Sequence, residues 1–405
     1  MKTTMLSLLT ILLFCNIQAQ PTWTQLQETP DCRYEGVVFT AENMVYYGLG
    51  IKCLGPETTE FYEYDPATDS WSPIANFPGQ TRRLASAFSI NGKGYVCLGF
   101  SNGVSLQDLW EYDPSSDSWS QKSNFPGGAR GAAVASVVNG KAYVGTGFGP
   151  GGASLYPMDF WEYDPQTDTW IELETMPGVA LYTAQSFAVG DSVYVIGGVG
   201  GNLLLPLNEV WAYSVSGNSW TQKPDFPGGQ ARFYPTAFSI GNRGYFGYGM
   251  LGPSSYLGDF WTYDPSTGNW QTMISSGWAM LFNGGGGGVA TTTDGYCVGG
   301  RTSNNTTPAT MAMWQFTPDM QTDVDENIQS LKDEMLIYPN PASGKVTLQG
   351  SQPGFYILTN NLGQVMERIF VEETTVIDLD RYEPGTCFIR SESEPAEVSK
   401  LIISK

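Results

Sequence analysis

Hydrophobic and polar positions along the chain alternate in short runs broken by Gly, Asn, Asp and Pro, with a period of two and no sustained helical stripe. One stretch gives the unit. "ASAFSI" (85–90) reads as a strand, Asn91-Gly92 as a hairpin turn, "GYVCLGF" (94–100) as a second strand, "LWEYDP" (109–114) as a third and "SWSQ" (118–121) as a fourth. The turn becomes Asn139-Gly140, Gly190-Asp191 and Gly241-Asn242 in later copies. The tryptophans of the fourth strands, Trp23, Trp71, Trp119, Trp170, Trp220 and Trp270, are 48, 48, 51, 50 and 50 residues apart, and a sustained period near 50 predicts a propeller or solenoid.

The third and fourth strands enclose an acid-rich turn, as in "FWEYDPQTDTW" (160–170). Asp164 and Asp168 would suit a metal loop, but the fourth copy has Ser214 and Asn218 there, and the fifth has Asp264 with Gly268-Asn269. Asp, Ser, Asn and Gly are interchangeable in turns and not as cation ligands, so the motif is expected to be a turn with its Tyr and Trp packed between sheets.

A Gly-rich second strand, then Tyr and Trp across a tight turn, repeated at this period from about 21 to 318, resembles the kelch repeat. The resemblance implies an all-β, six-bladed propeller of four-stranded blades, filling residues 20–320. Trp23 begins an outer strand with nothing before it, and "MWQFTP" (313–318) is a third strand with no Trp unit after it, so the two ends are expected to share a blade and close the ring. Glycines ending the second strands (Gly50, Gly99, Gly147, Gly197-Gly198, Gly249, Gly299-Gly300) are expected where neighbouring sheets approach.

After an acidic linker (321–335), residues 336–405 alternate like a small β-sandwich. "LIYPNP" (336–341), Leu362-Gly363-Gln364 and the lysine-containing end resemble the type A sorting domain of the type IX secretion system. The resemblance implies passage through the outer membrane of a bacterium of the Bacteroidetes kind, with the type IX machinery as partner. Gly385-Thr386-Cys387-Phe388 departs from the more usual Gly, small or apolar residue and Tyr of that family.

Composition fits this outline: 48 Gly, 25 Pro, 13% aromatics and only 15% charged residues suit many short strands. A formal charge of -20 with no run of Lys or Arg argues against nucleic acid and anionic membrane as partners. Residues 1–19 have the layout of a secretory signal peptide cleaved after Ala19; bulky Phe14 ahead of Cys15 disfavours lipidation, and no later stretch could span a membrane. The expected location is outside the cell or on the outer-membrane surface. If Glu42 and Asn43 turn a hairpin, positions summing to 85 face each other, which places Cys32 opposite Cys53 and predicts a disulfide. Cys97 and Cys297 read as buried thiols.

Function is expected where the repeats stop agreeing. One propeller face carries only tight turns; the other carries "GPGGASLYPM" (149–158), "GVGGNLLLPL" (198–207), "MLGPSSYLG" (250–258) and "RTSNNTTPATMA" (301–312), and loops on a rigid scaffold are the usual place for recognition. Arg33, Arg82, Arg130 and Arg232 occupy one equivalent position at the long-loop end of the inner strands, with Leu181 and Asn283 in the other two places. They are candidates to hold a carboxylate, as in a sialic or uronic acid, or else scaffold neutralised by Glu60, Asp108, Asp159, Glu209 and Asp259. Tyr182, Tyr234, Tyr256 and Trp278, with Phe233 and Phe282, are candidates to stack on sugar rings. Blade six is unusual: "WAMLFNGGGGG" (278–288) replaces the Arg-bearing segment.

The chain has no His, which removes the commonest general base, the Ser-His-Asp triad and imidazole ligation, and excludes the copper radical chemistry known on kelch propellers. No cofactor or metal is expected. The leading expectation is a non-catalytic recognition protein binding a glycan or an extracellular protein on the long-loop face. The alternative is a sugar epimerase or mutarotase acting on an acidic sugar, and a third reading is a structural part of a surface assembly.

Overall fold

The structure, a computed structural model, describes residues 21–53, 55–150, 156–178, 181–200, 205–228, 232–252, 255–273, 287–300 and 310–318, and from the C-terminal region 336–338, 345–349, 354–360, 364–372, 374–382, 384–391 and 398–403. Two compact units, Met1–Met320 and Gln321–Lys405, account for the chain.

The first unit contains six four-stranded antiparallel sheets. In blade two, Ser86–Ile90, Lys93–Cys97, Leu109–Asp113 and Ser118–Lys122 run in order from the centre outward. Each inner strand packs on the inner strands of its two neighbours, and that of blade one also meets that of blade six, so the ring is closed. In the sixth blade Gly287–Ala290, Gly295–Val298 and Met313–Thr317 are completed by the N-terminal strand Thr22–Gln25, with Trp23 opposite Phe316. The first and last strands are thus hydrogen-bonded to each other, and no blade edge is left as a seam.

Alternation decides which side chains face where. On the inner strands Phe39, Phe88, Phe187 and Phe238 are buried between blades, while Thr40, Ser89, Val137, Ala188, Ser239 and Ala290 at the next position line the central channel. Glycines in the neighbouring blade make room for the rings: a Cβ on Gly94 would lie 2.1 Å from the Phe39 ring, and one on Gly244 would lie 2.1 Å from Phe187. The glycines that end the second strands do a different job as well. Gly50 and Gly99 have φ of +80° and +102° and lie against backbone of the preceding long-loop segment, so they are needed for conformation and not only for space.

In the first blade Val37 faces Gly48, Arg33 faces Lys52, and Glu42 and Asn43 turn the hairpin with φ of +50° and +66°. Cys32 and Cys53 stand opposite each other in this register and are joined by a disulfide, with Cα atoms 5.5 Å apart. Cys97 and Cys297 are buried free thiols, and burial pushes the Cys97 thiol up to about 12.

The acid-rich turn clamps adjacent blades. Asp168, at φ +52°, accepts from the Tyr163 hydroxyl at 2.8 Å and from the Ser123 backbone N–H at 3.0 Å, while the Trp170 indole N–H donates to the Ser123 carbonyl at 3.0 Å. One residue of the preceding blade thereby has both backbone groups satisfied by its neighbour. The same clamp holds Gln27 (Asp69, Trp71), Ala75 (Asp117, Trp119) and Glu174 (Asn218, Trp220). In the fifth copy Pro224 takes the clamped position and has no N–H to offer; there the turn residue is Gly268, and Tyr263 Oη and Trp270 Nε1 lack partners. The acids serve geometry, and among the described residues no group of acids and thiols could hold a metal ion.

The second unit pairs a three-stranded sheet (Leu336–Tyr338, Lys345–Gln349, Thr374–Asp378) with a four-stranded one (Val365–Val371, Gly354–Asn360, Gly385–Ser391, Val398–Ile403). Alternate residues, among them Val346, Leu348, Tyr356, Leu358, Ile389 and Leu401, form one buried cluster, and Cys387 belongs to it. Residues 321–335, the expected linker, lie outside the described residues.

Asp168→Asn keeps an acceptor and is expected to unfold within a few tenths of a kcal/mol of the parent, whereas Asp168→Ala strands two donors and is expected to cost about 1–3 kcal/mol in chemical denaturation. Added calcium should change neither. Equal losses for the two variants would contradict the clamp.

Candidate functional site

The four equivalent arginines are interior. Arg33 and Arg82 are 0% exposed, Arg232 1% and Arg130 2%. Arg82 shows how such a charge is accommodated. Its Nη1 donates to the Leu98 carbonyl at 3.0 Å and to Asp108 Oδ1 at 2.8 Å, its Nη2 to Asp108 Oδ2 at 2.7 Å, and its Nε to the Gln80 carbonyl at 3.2 Å, while Phe77 packs on the guanidinium at 4.6 Å. Arg130 with Asp159 over Phe125 repeats the arrangement, and Arg232 with Asp259 over Phe226 repeats the fork and the ring while its Nε has no partner among the described residues. Arg33 differs in detail, with Asp31 as its fork partner at 2.5 Å, Glu60 further off at 3.7 Å, and Lys52 bridging both acids. The acids also accept from an indole two residues on, as from Trp110 to Asp108 and Trp161 to Asp159; Glu209, whose blade has Leu181 in place of the arginine, still accepts from Trp211. This geometry is the scaffold alternative. A carboxylate ligand would find these guanidinium edges already filled by Asp.

The channel between the inner strands has a volume of about 310 Å³ and is lined by small and apolar side chains with a few hydroxyls and Gln185. Several hydroxyls are turned to the protein: Ser86 donates to the Ala133 carbonyl, Thr40 to that of Ala290, and Ser136 to Ser186. No ionisable side chain is among the described residues of the wall.

The long-loop face is different in character. After each arginine, and after Leu181 in its place, the next residue forms a backbone bridge to the residue beyond the second-strand glycines: Tyr34 to Ile51, Arg83 to Phe100, Gly131 to Phe148, Tyr182 to Val199, Phe233 to Met250. The following residue is left-handed in every described case (Glu35, Leu84, Ala132, Thr183, Tyr234), which turns the chain into the inner strand. These bridges hold a row of half-buried rings. Phe100 and Phe148 have centroids 5.7 Å apart, Phe148 is 5.9 Å from Tyr182 and 5.5 Å from Tyr156, and Tyr156 stacks on Tyr182 at 5.5 Å and 27°. Gly131 is required beneath it, since a Cβ there would lie 2.4 Å from the Phe100 ring. Burial first, and Tyr156 second, raise the Tyr182 hydroxyl above its usual value, so it stays protonated. Beside Phe100 stands Arg83, with Nη1 on Glu35 at 2.8 Å and Nε 3.5 Å from Glu57. Burial alone would lower the Arg83 value; Glu35 outweighs this and raises it, and Glu57 and Tyr234 act in the same direction.

Of the expected aromatics, Tyr182 thus belongs to a cluster, and Tyr234 and Phe233 are half-buried on the same face in blade five. Tyr256 lies in the strand Ser255–Tyr256 opposite Met250; Trp278, Phe282 and Asn283 lie outside the described residues. Phe100, Phe148, Tyr156, Arg83 and Glu35 were not singled out from the sequence. Their signal was there: Phe100 and Phe148 follow the second-strand glycines directly, where other copies have Ile51, Val199 and Met250.

A closed ring of six four-stranded blades with a Tyr, Trp and turn-acid clamp defines a propeller of the kelch class. Residues 9–198 match the family model "KLHDC2/KLHL20/DRC7 Kelch-repeats domain", residues 182–227 match "Kelch motif" and residues 336–405 match "Secretion system C-terminal sorting domain". The chain is therefore a kelch-repeat protein with a C-terminal type IX sorting domain, which marks it for export to the cell surface or beyond. It is 29% identical over 137 residues to an F-box/kelch-repeat protein of Arabidopsis thaliana, covering 29% of each chain, and 32% identical over 126 residues to Kelch-like protein 23 of Mus musculus, covering 30% of this chain and 21% of that one. The chain thus spans less than a third of the length of these curated relatives. The solved structure titled "Structure of YjhT" superposes with a TM-score of 0.59 at 20% identity, covering 70% of this chain and 95% of that one, a likeness of fold. No helix among the described residues is long and apolar enough to cross a membrane.

Removing Arg82 leaves Asp108 without its cation. Arg82→Ala is expected to cost roughly 3 kcal/mol in chemical denaturation. Burial alone would raise the Asp108 and Asp259 carboxyls, but Arg82 and Arg232 outweigh it and lower both below the usual carboxylate value. A depressed folded value contributes stability that is present above the unfolded value near 4 and lost as pH falls through the folded one. With no His in the chain, stability should be flat from about pH 5 to pH 8 and fall below about pH 4. A transition near neutrality would contradict this.

Proposed function

We propose that the propeller is a non-catalytic recognition module that takes an extracellular ligand, a glycan or a protein, on its long-loop face. The observation that carries this reading is the row of half-buried rings, Phe100, Phe148, Tyr156 and Tyr182, on the face where the repeats diverge. The Tyr and Trp of the acid-rich turns, by contrast, serve the clamps between blades. The sorting domain is consistent with a ligand met outside the cell.

The epimerase or mutarotase alternative draws its support from the four arginines, whose donors are engaged with Asp31, Asp108, Asp159, Asp259 and backbone carbonyls. The neutral wall of the channel offers no general acid or base among its described residues. Recognition needs neither.

The test is a glycan and surface-protein array probed with the full chain and with Phe148→Ala/Tyr182→Ala. The expected result is a retained ligand class that the double variant loses by tenfold or more, about 1.4 kcal/mol, while its unfolding midpoint stays close to the parent's. The captured ligand should be recovered chemically unchanged. Turnover of the ligand, or full binding by the double variant, would overturn the reading.

A further inference from the structure

The face that carries the rings also constrains the charge of what it can take. This inference rests on the proposed recognition role and narrows it from any extracellular ligand to one chemical class. We infer that the long-loop face binds an uncharged oligosaccharide whose pyranose rings lie along Phe100, Phe148 and the Tyr156–Tyr182 pair, with Arg83, held in place by Glu35 and Glu57, reading hydroxyls at one end.

Three observations lead there. The first is the shape of the row. Phe100 lies 5.7 Å from Phe148, which forms a triangle of sides 5.5 to 5.9 Å with the stacked Tyr156–Tyr182 pair, and all four rings are half-buried, so each is fixed by packing yet presents part of its surface. Those steps are comparable to the length of a pyranose unit. Gly131 under Phe100, together with the backbone bridges of Arg83 to Phe100 and Gly131 to Phe148, holds the row without help from a ligand, so little ordering cost remains at binding.

The second is the character of the apolar surface. Among the described propeller residues only two large aliphatic side chains are strongly exposed, Val104 and Ile171. An anchor for a protein partner usually combines rings with a fully desolvated apolar pocket. Here rings stand beside hydroxyls and ion-paired groups, a mixture that suits a molecule with apolar C–H faces and polar edges.

The third is charge. Arg83, 36% exposed on its side chain, is the cation at the edge of the row, and it is held by two carboxylates, Glu35 at 2.8 Å and Glu57 at 3.5 Å. Glu57 also accepts from the Asn102 backbone N–H in the hairpin beyond Phe100. One cation against two acids leaves the cluster negative, and the whole chain carries -20. A uronate or sialate would meet repulsion there, and the four arginines that might have answered it are interior and paired. Neutral hydroxyls can instead accept from the exposed guanidinium edge that Glu35 and Glu57 hold in place.

The experiment is calorimetric titration of the full chain with neutral cello- and manno-oligosaccharides and with oligogalacturonates, at two salt concentrations about tenfold apart. Binding of at least one neutral series is expected, with affinity that is insensitive to salt because no net charge is neutralised. Tyr182→Ala should weaken it about tenfold or more, and Tyr182→Phe, which keeps the ring, should restore most of it. Gly131→Val, which displaces Phe100, should also weaken it. Preference for the oligogalacturonate with steep loss at high salt overturns the inference while leaving recognition on this face intact. Neutral binding that Tyr182→Ala and Gly131→Val leave untouched overturns the placement and the recognition reading together. Failure of both sugar classes to bind overturns the inference, and the surface-protein array then decides the broader reading.

Discussion

Between every clamped pair of blades, one backbone residue gives its N–H to a turn carboxylate or amide and its C=O to an indole, both from the neighbouring blade. Propeller blades have no shared backbone ladder, so at this end of the strands the clamp adds directional bonds to the packing of the seam. The clamp fixes the angle between successive sheets, and with it the position of the inner strands and of the long-loop segments that continue from them. Its left-handed turn residue, φ +41° to +52° at Asp69, Asp117, Asp168 and Asn218, is the local conformation that aims the acceptor across the seam.

A second layer of repeated polar chemistry stands at the opposite end of the strands. The buried arginine, the acid that opens the third strand and the ring beneath the guanidinium tie the long-loop segment to its own blade, and the arginine carbonyl accepts from a glycine N–H of the previous one: Gly50 donates to Arg82 and Gly99 to Arg130. A cation that is 0% exposed is tolerable because its hydrogens are almost all directed at acceptors. Positions that recur among the copies are thereby used in holding the ring, and chemistry that acts on another molecule falls to positions that differ between copies: Arg83 where others have Tyr34, Gly131 or Tyr182, and Phe100 where others have Ile51 or Val199.

Much of this was legible in the sequence because the fold repeats. The period near 50, the Gly-closed second strands and the unmatched ends at Trp23 and Met313 imply six blades and the shared last sheet, and the arithmetic of one hairpin turn pairs Cys32 with Cys53. Substitution among the copies themselves separated turn chemistry from metal ligation at Asp164 and Asp168. The site was less legible for a physical reason. Equivalence of Arg33, Arg82, Arg130 and Arg232 is visible along the chain, but whether a guanidinium points at solvent or at Asp108 depends on the path of the backbone between them. Likewise Phe148 and Tyr156 are neighbours of Tyr182 only across a blade boundary, a relation that no local pattern encodes.

The central claim is that the repeated arginines hold the fold while the non-repeated rings hold the ligand. The most direct measurement is a crystal structure of the full chain soaked with the oligosaccharide it retains most strongly. The account places sugar density over Phe148, Tyr156 and Tyr182, with every arginine still forked to its acid. Density in the central channel, or a ligand carboxylate displacing Asp108 or Asp159 from its arginine, would contradict it.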